Sequence, residues 1–441
     1  LRYIDAIRPD GNRVVILYMT KNHERSGFDG LGIAPSIVAH LRKLGFTTPT
    51  PIQHQAIPIA MEGKDVMGIA QTGTGKTLAF GIPMIQRLSR HKGTGLVLLP
   101  TRELAAQVDQ SLALIGRAFG LRTAILIGGA AIGPQINALR KRPHVIIATP
   151  GRLIDHLQQK TVSLASVNIL VLDEADRMLD MGFEPQIKRI LVGIPTDRRQ
   201  TMLFSATMPE KITRLARNYM HSPLRIEVAP QGTMAKNIEQ EVFIVPKPQK
   251  LSLLHQVLAD YDGRVLIFSR TKHGAKKIAT AVRDMGHKAA EIHSNKSLPQ
   301  RTKALADFKS GITRILVATD IASRGIDVQD IELVINFDLP DNHEDYVHRV
   351  GRTGRAGKGG KAISFAAPDQ KRDVYMIEEL IGTRLPILPL PELTVHIPMP
   401  RATEHERSFA PRRPIREGGA RNSRTSSSSR QPYAHKRSYG R

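Results

Sequence analysis

Twelve short β-branched runs constrain the fold of this chain more than any other feature. Six fall in the first half, at Asp65–Ile69, Gly95–Leu99, Thr123–Ile127, Val145–Ala148, Ile169–Leu172 and Thr201–Phe204. Six more repeat the rhythm at Val242–Val245, Val265–Phe268, Ala289–Ile292, Ile315–Ala318, Leu333–Asn336 and Ala362–Ala366. Helix-patterned segments separate them. Alternation of this kind builds an α/β protein, a parallel sheet with helices packed on both faces. At 441 residues the chain exceeds what one core usually holds, so two such blocks between two tails are expected. The turn-rich stretch Ala229-Pro230-Gln231-Gly232-Thr233 is the expected linker.

Charge and composition narrow the function classes. Lys and Arg number 64 against 40 Asp and Glu, a net charge of +24, which favours a polyanionic partner, nucleic acid first among them. A solvated basic surface is the plainer reading, but the charge is uneven: Arg401 to Arg441 holds 11 basic and 3 acidic residues, a surplus of +8. That tail has almost no aliphatic residues after Ile415 and includes the Ser426–Ser429 run, so it is expected to be disordered. Residues 1–25 show no sustained period and are expected to be a disordered extension. They begin with Leu, which reads as a fragment, an alternative start codon or a true start at Met19. The absence of cysteine excludes disulfides, thiolate metal sites and Cys nucleophiles, and fits a cytoplasmic protein. No apolar run approaches the ~20 residues of a membrane span, and the Val14–Met19 run lacks the cleavage site of a signal peptide.

Two motifs carry nucleotide chemistry. The first is AQTGTGKT, Ala70 to Thr77, after one apolar run and before a helix-patterned segment. Gly73 and Gly75 let backbone N–H groups wrap phosphates, Lys76 is placed for the β/γ oxygens, and the Thr77 hydroxyl for Mg²⁺. Ala70 stands where the strict motif has Gly. The second is Asp173-Glu174-Ala175-Asp176, which closes the run Asn168 to Leu172. There Asp173 takes the Mg²⁺ side, and Glu174 acts as base or orients the attacking water. Alone, the loop could be a Gly-rich turn and the acids a solvated helix start. In this order they read as an ATP-driven machine.

His348-Arg349-Val350-Gly351-Arg352-Thr353-Gly354-Arg355 forms a further charged constellation in the second block. Arg352 and Arg355, three apart, share a face on a helical turn. The segment alone reads equally as a basic patch for nucleic acid. With a phosphate loop in the other block, the reading as arginine fingers across a domain interface leads.

From about Phe28 to Gly382 the chain resembles the DEAD-box RNA helicases of superfamily 2, and within them the bacterial RhlE-type group. The resemblance implies two tandem RecA-like domains: a Q motif over 26–54, an ATP-binding domain over 57–228, a linker over 229–238, a second domain over 239–399 and a basic tail over 400–441. GFTTPTPIQ (Gly45 to Gln53) resembles the Q motif, with Gln53 the adenine contact and Phe28 stacked on the base. The nucleotide would lie on Ala70, Gln71, Thr72, Gly73, Thr74, Gly75, Lys76 and Thr77, with Asp327 on the ribose. By the same likeness Lys76, Asp173, Glu174, His348, Arg352 and Arg355 are the catalytic set, and Thr77 and Asp173 hold Mg²⁺, partly through water. PTREL (Pro100 to Leu104), Gly128-Gly129, TPGR (Thr149 to Arg152) and VATDIASRGID (Val317 to Asp327) would supply RNA contacts from Arg102, Gly129, Thr149, Arg152 and Thr319, with Arg301 beside Thr319 on the RNA backbone. Asp176, Ser205 and Thr207 would couple hydrolysis to strand separation.

One segment departs from that pattern. HSNKSLPQR (His293 to Arg301) has Ser294 where Gly is usual and Leu298 where the Gln of a QxxR element is usual. The resemblance implies an active monomeric enzyme that uses ATP to separate short RNA duplexes, working with ribosome-assembly or RNA-decay proteins and with no membrane. An ATP-gated RNA clamp with little unwinding is the second reading, and strand displacement measured beside hold time on RNA separates the two.

Overall fold

The computed structural model describes residues 2–7, 13–18, 27–70, 73–197, 199–228, 238–320, 328, 330–354, 359–393 and 395–398. At the start, β1 (Arg2–Ile7) and β2 (Arg13–Tyr18) pair antiparallel, with Arg2 opposite Tyr18. The rest of the expected extension, residues 1, 8–12 and 19–25, lies outside the described residues. Both strands are rich in Ile, Val and Tyr, and the run was too short to read as periodic. Residues 229–237 of the linker and the basic tail lie outside the described residues, while Ile238 already belongs to a strand.

Two seven-stranded parallel sheets make up the rest. The first contains β3 (Val66–Ile69), β4 (Thr94–Leu98), β5 (Thr123–Leu126), β6 (Val145–Ala148), β7 (Val167–Asp173), β8 (Gln200–Ser205) and β9 (Leu224–Glu227), in spatial order β5-β6-β4-β7-β8-β3-β9. The second contains β10 (Ile238–Ile244), β11 (Arg264–Phe268), β12 (Ala289–Ile292), β13 (Ile315–Ala318), β14 (Ile331–Asn336), β15 (Gly360–Ala366) and β16 (Ile387–Leu388), in order β12-β13-β11-β14-β15-β10-β16. Strand for strand the two orders are the same. All twelve expected runs are strands. The two unforeseen ones, β9 and β16, are edge strands in which only Ile226 is buried, so they carry little of the apolar signal that marks the others.

Each sheet is packed on both faces because its strands are apolar on both faces. In β7, Leu170 and Leu172 enter one core cluster while Ile169 and Val171 enter the cluster on the other side. In β14, Val334 faces one cluster and Leu333 and Ile335 the other. The consequence for function lies at the carboxyl ends. Strand β8 separates β7 from β3, with Asp173 opposite Phe204 and Ile69 opposite Ser205. The acidic pair, the Ser205 motif and the glycine loop therefore open on one rim, where open α/β sheets bind ligands.

At the opposite rim Asp65 fixes the start of β3. Its Oδ1 accepts from the Thr201 amide and its Oδ2 from the His221 amide, both at 2.7 Å. Asp65 is buried, so Asp65→Ala orphans two amides in a dry place and should cost about 2–4 kcal/mol. Denaturant unfolding against the wild type measures it, and a loss below ~1 kcal/mol would mean water replaces the carboxylate there.

Candidate active site

The glycine loop is held open by residues before and after it. Gly73 and Gly75 have φ of 83° and 89°, left-handed values that β-carbons disfavour. A Cβ on Gly75 would also fall 2.3 Å from Gln53 Nε2. Gln53 Nε2 donates to the Gly75 carbonyl at 3.0 Å, and its Oε1 accepts from the Thr50 amide at 2.9 Å, closing the first turn of the helix Pro51–Met61. Here Gln53 braces the loop. Lys76 begins the helix Lys76–Arg90 and its Nζ donates to the Ala70 carbonyl at 2.9 Å, a bond that spans the loop. Thr74 and Thr77 are half-buried beside it, while Gln71 and Thr72 lie outside the described residues.

Phe28 is 3% exposed and belongs to an apolar cluster with Leu31, Ile37, Val38 and Leu41.

The acidic pair sits at the end of β7 with almost no solvent. Asp173 is 3% and Glu174 4% exposed. Glu174 adopts φ 53°, ψ 49°, a left-handed turn unusual outside glycine, so the chain bends sharply between strand and helix. Asp173 Oδ1 accepts the Glu174 amide at 3.0 Å, and Arg177 Nη1 donates to Glu174 Oε2 at 2.8 Å with both side chains buried. Burial pushes the Asp173 carboxyl up to about 6, with Lys76 acting against the rise and Glu174 and Asp176 adding to it. Burial would raise Glu174 too, but Arg177, Lys76 and Arg352 outweigh it and hold that carboxyl below its ordinary value. The pair is thus split, one acid easily protonated and one kept ionised.

Asp176 ties this turn to the next strand. Its Oδ2 accepts from the amides of Ala206 and Thr207 at 3.0 and 2.8 Å and from the Thr207 hydroxyl at 3.0 Å. Its own amide donates to Ser205 Oγ at 3.3 Å. Any shift of the acidic turn is therefore felt at Ser205 to Thr207.

Groups from the second domain reach the same place. Arg352 is 3% exposed, its Nε donates to the His348 carbonyl at 3.2 Å, and its charge acts on Glu174. Asp345 likewise acts on Arg177. Arg349 does not reach the site; it is clamped by both oxygens of Asp320 at 2.6 and 2.7 Å and lies over the Phe268 ring. Arg355 and Asp327 lie outside the described residues.

The expected RNA contacts form a second group. Arg102 lies on the Gly128-Gly129 turn so closely that a Cβ on Gly129 would meet its guanidinium. Arg152 Nη1 donates to the Ala130 carbonyl at 3.0 Å, and Thr149 opens the helix Pro150–Gln158. Gln135 joins these pieces: its amide bonds Ile127 and Ala131, and His156 Nε2 lies 3.3 Å from its Oε1. Thr319 is half-buried at the end of β13. Arg301 lies across the cleft against Glu103. Arg177, Gln135 and Glu103 were missed in the sequence, since their roles come from contacts that spacing does not encode.

The chemistry of the donors fits ATP and Mg²⁺. Lys76, which donates to a loop carbonyl, has further N–H donors to offer phosphate, and three neighbouring buried carboxylates lose repulsion when a cation arrives. Among the described residues no three His, Cys, Asp or Glu converge to hold a metal alone. Thr77 and Asp173 would supply part of a shell completed by water and phosphate, the usual habit of Mg²⁺.

Comparison with known proteins agrees with this geometry. The family model for the DEAD/DEAH box helicase matches residues 50–215, and that for the helicase conserved C-terminal domain matches 249–357. The ATP-dependent rRNA helicase RRP3 of Yarrowia lipolytica is 41% identical over 385 residues, 86% of this chain and 80% of the relative. The DEAD-box ATP-dependent RNA helicase 30 of Arabidopsis thaliana is 43% identical over 358 residues, 78% of this chain and 60% of the relative. Among solved structures, Saccharomyces cerevisiae Dbp5 bound to RNA and ADP BeF3 superimposes with a TM-score of 0.74 at 27% identity, covering 82% of this chain and 95% of that one. The chain belongs to the DEAD-box family of ATP-dependent RNA helicases. These relatives are fungal and plant proteins and lend no support to the RhlE-type group in particular.

Mg²⁺ held on Asp173 would require that carboxyl, pushed up to about 6, to be deprotonated. A group raised in this way binds its cation above that pH and loses it below, so the acid limb of ATPase activity should lie near pH 6. Cation and proton compete for one carboxylate, so raising Mg²⁺ tenfold should move that limb to lower pH. Rates measured at two Mg²⁺ concentrations decide it, and an immobile limb would assign the titration elsewhere.

Proposed function

We infer that this helicase hydrolyses ATP at the rim of the first sheet and is driven into its working arrangement by RNA held across both domains. One observation carries the reading: Glu174 is buried, kept ionised, and reached by Arg177 and Lys76 of its own domain and Arg352 of the other. A carboxylate assembled from two domains works only when they are together. RNA that binds both supplies the differential affinity that closure requires. In this reading Glu174 orients the attacking water, Lys76 and Arg352 stabilise phosphoryl charge, and Mg²⁺ on Asp173 and Thr77 neutralises the phosphates. Arg102, Gly129, Thr149, Arg152 and Thr319 hold the strand by its backbone, blind to sequence. Asp176 passes the state of the acidic turn to Ser205 and Thr207.

The names of the fungal relatives favour ribosomal RNA as substrate and ribosome-assembly proteins as partners over RNA decay. Membership of the RhlE-type group rests on the wording of the motifs alone. A monomer acting in the cytoplasm completes the proposal; among the described residues no helix is long and apolar enough to cross a membrane.

Glu174→Gln is the decisive variant. It should bind ATP with near wild-type affinity and lose turnover by about 10²–10³-fold, because it removes a contact made in the transition state. Single-stranded RNA should stimulate the wild type and DNA of the same sequence should not. Near-normal hydrolysis by the variant would displace the acidic pair as catalytic centre. Deleting Arg401 to Arg441, which carries 11 basic residues, should leave kcat at saturating RNA unchanged and flatten the salt dependence of binding. On single strands log K falls by about 0.7 per released counterion with log salt. A salt slope that does not change would remove the tail from the RNA site.

A further inference from the structure

Two capped helix starts meet across the cleft between the domains. In the first domain, Thr101 caps the helix Arg102–Gly116 by accepting the Leu104 amide at 3.3 Å, and Glu103 lies in the first turn. In the second, Ser297 and Gln300 form a capping box on the helix Leu298–Lys309, with bonds of 3.0 and 3.5 Å. The box fixes the first turn, where Leu298 and Arg301, three apart, share a face. Arg301 Nη2 lies 2.9 Å from Glu103 Oε2. Leu298 is half-buried against the apolar cluster of the first domain that contains Ala105, Val108 and Ile127.

The two contacts do not contribute alike. Glu103 and Arg301 are 5% and 8% exposed, so both charges have given up most of their water. Despite the short separation, neither Glu103 oxygen nor Arg301 Nε meets a partner at hydrogen-bonding angles among the described residues. Burial lowers the pKa of Arg301, and Glu103 offsets this only in part. A buried ion pair with unmet hydrogen bonds adds little net stability. Leu298 has no such offset, because its burial removes only apolar surface from water. A glutamine there would bring an amide to the same apolar surface and have to satisfy it.

We propose that Leu298 is a closure residue: packed on the first domain, it favours the closed arrangement that RNA completes, so that this chain needs RNA less than it would with glutamine at that position. The inference rests on the reading of the protein as an RNA-stimulated ATPase.

The chain contains no cysteine, so closure can be followed directly. Val192→Cys in the first domain and Ile312→Cys in the second, at positions 80% and 62% exposed, accept a dye pair on the full chain. Energy transfer is measured with AMP-PNP and Mg²⁺, with and without a 20-nucleotide single-stranded RNA, beside steady-state ATPase. Leu298→Gln should lower the closed fraction without RNA, cut RNA-free ATPase about fivefold and raise the RNA concentration for half-stimulation similarly, the scale of half-burying one leucine. Its kcat at saturating RNA should stay within about twofold, because bound RNA then bridges the domains. Leu298→Met should match the wild type. If Leu298→Gln melts at lower temperature by circular dichroism, Leu298→Ala gives the same comparison. Equal closed fractions and RNA-free rates in wild type and variant would overturn the proposal, as would a wild type that stays open until RNA is added. Absence of any RNA stimulation would instead sink the functional reading, while energy transfer still decides the part played by Leu298.

Discussion

The carboxylates of Asp173 and Glu174 stand at the end of β7 with almost no water around them, and everything near them compensates that cost. An ion moved from water into a protein interior loses several kcal/mol of solvation even after relaxation. The first domain answers with Lys76 from the helix after β3 and Arg177 from the helix after the acidic turn. The left-handed backbone at Glu174 lets its side chain reach Arg177 within three residues. Because the compensation is uneven, the two acids differ: one is held ionised and the other is left ready to exchange a proton for a cation.

That arrangement explains why one domain is not enough. Arg352 contributes to holding Glu174 ionised, and Asp345 acts on the guanidinium that clamps it. Separating the domains would remove a positive charge from Glu174 and a negative one from Arg177. The bonds from Asp176 to Ser205, Ala206 and Thr207 carry any rearrangement onward along the rim. The contact proposed to ease their meeting lies elsewhere, at Leu298. Chemistry and closure are thus governed by different residues, which leaves each free to change without disabling the other.

Much of this was legible in the sequence, for an identifiable reason. A central strand of a doubly covered sheet must be apolar on both faces, so the ten interior runs stood out; the edge strands β5 and β12 were legible too, whereas β9 and β16 at the opposite edges were not. The glycine loop and the acidic turn were legible because phosphate binding and carboxylate chemistry demand particular residues at fixed spacing. Long-range partners were not. Arg177 looked like any helix arginine until its burial became visible. Gln53 reads as a base contact by motif, yet its bonds to Thr50 and Gly75 depend on two segments meeting in space. Leu298 was visible as a departure from a pattern; that it packs on the other domain is a fact of tertiary structure.

The common topology of the sheets explains why only the first takes a nucleotide. By strand order β10 is the counterpart of β3 and β14 of β7. Lys76 begins the helix after β3, and Lys250 begins the helix after β10. Each lysine is directed at the end of the counterpart strand: Lys76 acts on Asp173, while Lys250 Nζ donates to the Phe337 carbonyl at 2.6 Å and lies 3.2 Å from Asp338 Oδ1. The second sheet therefore retains a lysine and an acid in the same relation. What it lacks is the loop. Val245-Pro246-Lys247-Pro248 replaces the glycines, and proline neither adopts their left-handed backbone nor offers an N–H to phosphate. Without phosphates to meet, Lys250 uses its donors inside the protein and lies over the Phe337 ring, and burial lowers its pKa. A domain built this way cannot cradle a nucleotide of its own. What its described residues extend toward the neighbouring site is the cation of Arg352, whose charge acts on Glu174.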